Sequence, residues 1–125
     1  MEALILKHDA EQTEAQGQYH RRENEYEIQL HYTAEDHEDV DVSILKDDEG
    51  ILIRENSPAR QLYLSLSEQK EEGYLRTPLG MILFEAQLIS VETNEEELMI
   101  HYMIEQNGVV DEKRFGVMKK DNASR

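Results

Sequence analysis

The chain has 125 residues, with 28 Asp+Glu against 13 Lys+Arg and a formal net charge of -15. A chain this acidic is repelled by phosphate backbones and by anionic membrane surfaces, so neither nucleic acid nor a membrane is an expected partner. It contains no cysteine, which excludes disulfides, thiolate catalysis and thiolate metal sites.

Residues 3–6 form a short apolar run that reads as a first strand. Residues 9–16 are polar, Gly17 marks a bulge or bend, and residues 18–22 continue as a short strand up to a turn at Glu23-Asn24. Tyr26, Ile28, Leu30 and Tyr32 alternate with polar residues, the pattern of a half-buried strand. After an acidic connection, Val40, Val42 and Ile44 alternate with Asp39, Asp41 and Ser43. Asp47-Asp48-Glu49-Gly50 is hairpin chemistry, and residues 51–54 return as a partner strand. Residues 58–67 admit two readings. Ser57 and Pro58 could open a helix with Ala59, Leu62, Tyr63 and Leu66 on one face. Leu62, Leu64 and Leu66 also alternate, and strands on both sides favour a strand. Residues 68–73 read as a charged loop.

Residues 74–90 are the centre of the pattern. Pro78 and Gly80 suit a tight turn, after which Ile82, Phe84, Ala86 and Leu88 share one face at period two. Leu98, Ile100, Tyr102 and Ile104 form a further apolar face. Asn107-Gly108 is the strongest short hairpin signal in the chain. Residues 109–118 are a last strand, and residues 119–125 a polar tail expected to fray. Eight to ten short strands without helical crossovers predict an all-β fold, an antiparallel up-and-down closed β-barrel formed by residues 1–125 as one domain.

Tyr74-Leu75-Arg76-Thr77-Pro78-Leu79-Gly80 before a long alternating strand resembles the central motif of the YwiB-like family of uncharacterised bacterial proteins. Gly17-Gln18-Tyr19-His20, Leu30-His31-Tyr32, Ile51-Leu52-Ile53-Arg54 and residues 98–104 extend the resemblance from Gly17 to Lys119. It implies a lipocalin-like (calycin) barrel and a bacterial, cytoplasmic protein, and it implies no activity. The chain departs from the pattern at Asn56, where relatives tend to carry glycine, and at Thr33-Ala34-Glu35 after Tyr32. It also lacks the tryptophan of lipocalins proper. The N-terminal residues do not have the layout of a signal peptide, and no apolar run approaches the roughly 20 residues that span a bilayer, in keeping with a cytoplasmic location.

His8, His20, His31, His37 and His101 lack the spacing of a metal site, and no cofactor is expected. The acidic run 35–41 lacks the glycine of a calcium loop and reads as solvated. Arg54 and Arg76 interrupt apolar strands. Pointing outward they would lie over apolar surface; pointing inward they would require an acceptor or a bound anion. Met81, Leu83, Ile89, Met99 and Met103 make two strands apolar on both faces, so part of the outer wall is expected to be covered, by the chain's own segments or by a homodimer seam through Met81, Leu83, Met99 and Met103. Three functions follow in order. The first is a non-enzymatic barrel binding a small apolar or amphipathic ligand, with Tyr26, Tyr32, Arg54, Tyr74, Arg76 and Phe84 as candidate contacts. The second is a filled barrel serving as a structural or protein-interaction module. An enzyme ranks last, since no nucleophile, base and orienting group can be named together.

Overall fold

The computed structural model describes residues 2–36 and 38–120; Met1, His37 and residues 121–125 lie outside the described residues. Ten strands follow one another: β1 (Glu2–His8), β2 (Glu11–Arg22), β3 (Glu25–Thr33), β4 (Asp39–Lys46), β5 (Ile51–Asn56), β6 (Gln61–Leu66), β7 (Glu71–Thr77), β8 (Gly80–Thr93), β9 (Glu97–Gln106) and β10 (Val109–Lys119). Each pairs antiparallel with the next in sequence, and β10 returns to β1 to close the barrel. Closure removes the free edges that an open meander of this length would expose.

Period-two patterning decides which way each strand faces. Ile28 and Leu30 of β3, Val42 and Ile44 of β4, Ile53 of β5, Leu64 of β6 and Ile100 of β9 are all buried in one continuous core. Their neighbours Gln29, Asp41 and Arg54 are exposed. The barrel interior is thus occupied by aliphatic side chains, with Leu4, Ile28, Ile44, Ile53, Leu64, Leu66, Leu98, Ile100 and Val117 almost wholly shielded from water.

Local turn chemistry fixes the registers. Asn107 and Gly108 both take positive φ (53° and 80°), as a two-residue hairpin of opposite hand to a common turn demands. Thr77 pairs with Gly80 across Pro78-Leu79, and Leu75 with Ile82, the hairpin predicted from Pro78. Gly80 has φ 136°, a region that side-chain-bearing residues avoid. Asp47 Oδ1 accepts from the backbone N–H groups of Glu49 and Gly50 at 2.8 and 3.0 Å.

Several expectations are corrected. The polar stretch 9–16 is mostly strand, since β2 starts at Glu11; it is held between β1 and β3 although Tyr19 is its only large buried side chain. The strand choice for residues 58–67 holds for β6, while Ser57 caps a turn instead, its Oγ accepting from the Arg60 N–H at 3.2 Å. The expected loop 68–73 ends early, because β7 begins at Glu71. β8 runs on to Thr93, with a bulge between Leu88 and Ser90 that returns Val91 to the inward face opposite Ile100, as an inserted residue must. Ile82 keeps the inward register but lies beyond the barrel rim and is exposed. Lys119 belongs to β10, paired with Leu4, and not to a frayed tail. Among the described residues no helix is long and apolar enough to cross a membrane.

Candidate functional site on the outer wall

The six candidate contacts divide into two sets. Tyr26, Tyr32 and Phe84 take the inward register. Tyr26 is buried near one rim, where its hydroxyl donates to the Asn94 carbonyl at 3.3 Å. Tyr32 is half-buried near the other rim, its ionisation pushed upward by burial and by the Glu55 carboxylate. Six residues of extended chain separate these rings by about 20 Å, so they cannot touch one small ligand. Phe84 packs over Gly73, where an added Cβ would fall 2.6 Å from the Phe84 ring and 2.7 Å from the Tyr63 carbonyl oxygen.

Arg54, Tyr74 and Arg76 point outward and come together, with a residue that the sequence did not single out, Tyr63. The ladder explains why. Arg54 lies directly opposite Tyr63, and Tyr63 directly opposite Tyr74. The two rings stack nearly parallel, centroids 5.3 Å apart and planes 5° from each other. The Arg54 guanidinium sits 5.5 Å from the Tyr63 centroid, and that of Arg76 sits 5.8 Å from the Tyr74 centroid. Each arrangement is a cation held against the negative face of a ring. Among the described residues neither guanidinium forms an ion pair with a carboxylate.

This group is the middle of a longer band. Following direct cross-strand partners around the outer wall gives Gln18, Gln29, Ser43, Arg54, Tyr63, Tyr74 and Leu83. The adjacent row reads Gln16, His31, Asp41, Asn56, Gln61, Arg76 and Met81. In a chain with 28 acidic residues, the single carboxylate in both rows is Asp41, and it is paired with His31 at 2.9 Å. At the β2–β5 end the band sinks into an open cleft of about 480 Å³ with Gly17 in its floor and Gln16, Gln18, Gln29 and Arg54 around it. A larger open hollow of about 1020 Å³ shares Tyr63 with the band and is bordered by Glu25, Glu27, Asp47, Glu49 and Glu71, together with Arg22 and Lys46. Its carboxylates outnumber its cations, the reverse of the band.

The methionines are placed differently from one another. Met81 and Leu83 are exposed on the outer face. Met99 also faces outward but fills the notch left by the missing side chain of Gly116, where an added Cβ would meet its sulfur. Met103 is half-buried. The expected covering of the second apolar face is therefore partly supplied within the chain. His31 and His101 face outward beside Asp41 and Glu112, at 2.9 and 3.2 Å. Among the described residues no group of His, Asp and Glu side chains converges as a metal site.

The fold has a counterpart in the crystal structure of the ywiB protein from Bacillus subtilis, with a TM-score of 0.62 and 11% sequence identity over 94% of this chain and 87% of that one. At that identity the likeness concerns the fold. No curated protein matches the chain. Residues 6–114 match the model of a domain of unknown function, DUF1934. The resemblance carried by the residues around Pro78 is thereby borne out: the chain belongs to the DUF1934 family.

Proposed function

We propose that the protein is a non-enzymatic interaction module whose working surface is the outer band centred on Arg54, Tyr63, Tyr74 and Arg76, and that it takes an extended, carboxylate-bearing segment of another protein. The observation that carries this reading is the pair of guanidinium groups held over the stacked Tyr63 and Tyr74 rings, without a carboxylate partner among the described residues, in a chain of net charge -15. Among the described residues Arg21, Arg22 and Arg114 also lack a carboxylate partner; what sets Arg54 and Arg76 apart is their place against a stacked tyrosine pair, which keeps their hydrogen-bonding capacity for a visitor. Side-chain amides at Gln16, Gln18 and Gln29 offer both donors and acceptors, the pairing that a peptide main chain needs. Seven strands at about 4.8 Å spacing make the band roughly 29 Å long, enough for about nine extended residues. The carboxylates that surround the band discourage other anions from binding elsewhere and confine the segment to it.

The test is a titration followed by fluorescence anisotropy, using a labelled peptide of alternating glutamate and leucine. Saturable binding that weakens by about tenfold or more in Arg54→Met and again in Arg76→Met supports the reading, since each removes a charge-assisted contact. Binding should also fall with added salt. Equal binding of a lysine–leucine peptide, or no effect of either substitution, refutes it.

A second reading keeps the small-ligand barrel, because one observation favours it. The Tyr19 hydroxyl is buried without a hydrogen-bond partner among the described residues. Such a group seeks an acceptor or a donor, and a small molecule with one polar end reaching it from the nearby rim would supply one. Native mass spectrometry of gently purified protein tests this. A bound small molecule that is lost in Tyr19→Phe supports the carrier, and an unliganded mass speaks for the outer band.

A further inference from the structure

The two halves of β8 differ in their edges. Glu85 and Ala86 are paired on both sides, with β7 and with β9, and residues 87–93 pair with β9. Residues 80–84 pair with β7 alone. β9 ends at Gln106, so the β7–β8 hairpin outruns its neighbour and leaves one side open. Thr77 and Gly80 close a two-residue turn. Backbone groups alternate in direction along a strand, so Gly80, Ile82 and Phe84 address β7 while Met81 and Leu83 address the open side. Among the described residues no backbone hydrogen bond reaches Met81 or Leu83 from that side.

The side chains around this edge are apolar and wet. Leu79 is fully exposed, and Met81, Ile82 and Leu83 are 48%, 40% and 55% exposed. Val109 and Val110 on the adjacent hairpin are exposed as well, and among the described residues the remaining exposed large hydrophobics are Leu45 and Ile89. An unpaired edge flanked by apolar side chains is a template for strand pairing, which natural sheets normally block with charge or proline. Here Pro78 sits in the turn, before the open residues, and blocks nothing.

We propose that a second copy of this chain occupies the edge, β8 pairing antiparallel with its counterpart about a two-fold axis near Met81. Charge selects the place. Two chains each carrying -15 can meet only where carboxylates are sparse, and the outer face of the tip carries Met81 and Leu83, with Arg76 opposite Met81 and no carboxylate before Glu85. Geometry selects the register. Centring on Met81 sets Leu79 of each copy against Leu83 of the other, apolar on apolar. The pairing is isologous and so closes as a dimer without leading to a filament. The seam is short, below the roughly 1,000 Å² of a tight interface, so the dimer is reversible and concentration-dependent. Met99 and Met103 take no part in it.

Sedimentation equilibrium of the full chain from micromolar to millimolar concentration tests the proposal. The expected result is a reversible monomer–dimer equilibrium that strengthens with added salt, as screening relaxes the repulsion between the acidic chains. Met81→Lys should weaken it by about tenfold or more by placing charges together in the seam, and Met103→Lys should leave it unchanged. A wild-type chain that stays monomeric at millimolar concentration overturns the proposal, as does loss of the dimer in Met103→Lys with retention in Met81→Lys. Hydrogen exchange on the wild type supplies a check that needs no variant. The Met81 and Leu83 amides should exchange more slowly at high concentration, and rates independent of concentration would contradict the pairing.

Discussion

The barrel interior and the outer band use tyrosine in opposite ways. Inside, Tyr19 and Tyr26 meet edge to face at 6.0 Å and are buried with the aliphatic core. Outside, Tyr63 and Tyr74 stack face to face on an open wall; cations lie over the rings of both pairs, so the stacking and the exposure are what differ. The inner rings are held by everything around them, and removing one opens a cavity. The outer rings are held mainly by each other. Their stacking adds about 0.5–1.5 kcal/mol at most, a small part of a domain's stability. The difference teaches where to look for function: the interior accounts for the fold, and the band has chemistry that the fold does not require.

The largest expected effect comes from the interior. Ile44 is fully buried, and Ile44→Ala should lower the unfolding free energy by about 2–5 kcal/mol, read from a denaturant titration. Tyr63→Ala should cost no more than about 1.5 kcal/mol in the same titration. Equal losses at the two sites would break the distinction between them.

Two glycines sharpen the comparison, because each stands in a hairpin that joins the regions. Gly73 faces inward against the Phe84 ring and the Tyr63 carbonyl. Gly73→Val therefore forces overpacking and should destabilise by about 1–3 kcal/mol. Gly80 has open space around it and only its φ of 136° to protect. There the cost is backbone strain alone, about 1–3 kcal/mol, and Gly80→Ala should lower the melting temperature nearly as much as Gly80→Val. A harmless Gly80→Ala would show that the turn relaxes.

Alkali tests the buried phenols of the interior. Burial pushes Tyr19, Tyr32 and Tyr102 above the ordinary phenol value of 10.0, with the Tyr26 hydroxyl adding to the effect at Tyr19 and nearby carboxylates at Tyr32 and Tyr102. A phenol that holds its proton more tightly when folded contributes nothing to pH dependence below pH 10. Above it the unfolded chain ionises first, and stability falls as pH rises towards the folded values. Thermal melts should be flat from these groups up to about pH 10 and decline beyond it. Tyr102→Phe should blunt that decline.

Much of the barrel was legible in the sequence because period-two alternation and turn residues act locally. Asn107-Gly108 and Thr77-Pro78-Leu79-Gly80 declare their hairpins by backbone preference alone. β2 was legible only in part, since its inward positions Thr13, Ala15 and Gly17 carry little hydrophobic signal, and its pairing comes from neighbours on both sides. The candidate site was less legible still. Arg54, Tyr74 and Arg76 attract attention as polar residues in apolar strands, but Tyr63 joins them only through registers set by two separate turns. Tyr63 also lay on the shared face of the competing helical reading, which obscured it. A site built from residues on neighbouring strands is written in loop lengths more than in motifs.

The smallest expected effect on stability is at the arginines. Arg54→Met and Arg76→Met should each change the melting free energy by no more than about 0.5 kcal/mol, as exposed positions usually do, while weakening the binding of an acidic segment. The most direct measurement is amide chemical-shift mapping of the full chain as the glutamate–leucine peptide is added. The account predicts shifts concentrated at Arg54, Tyr63, Tyr74 and Arg76 and at the glutamines of β2 and β3, with the interior amides of Ile28, Ile44 and Ile100 unmoved. Shifts centred on those interior strand positions, or none at saturating peptide, would contradict it.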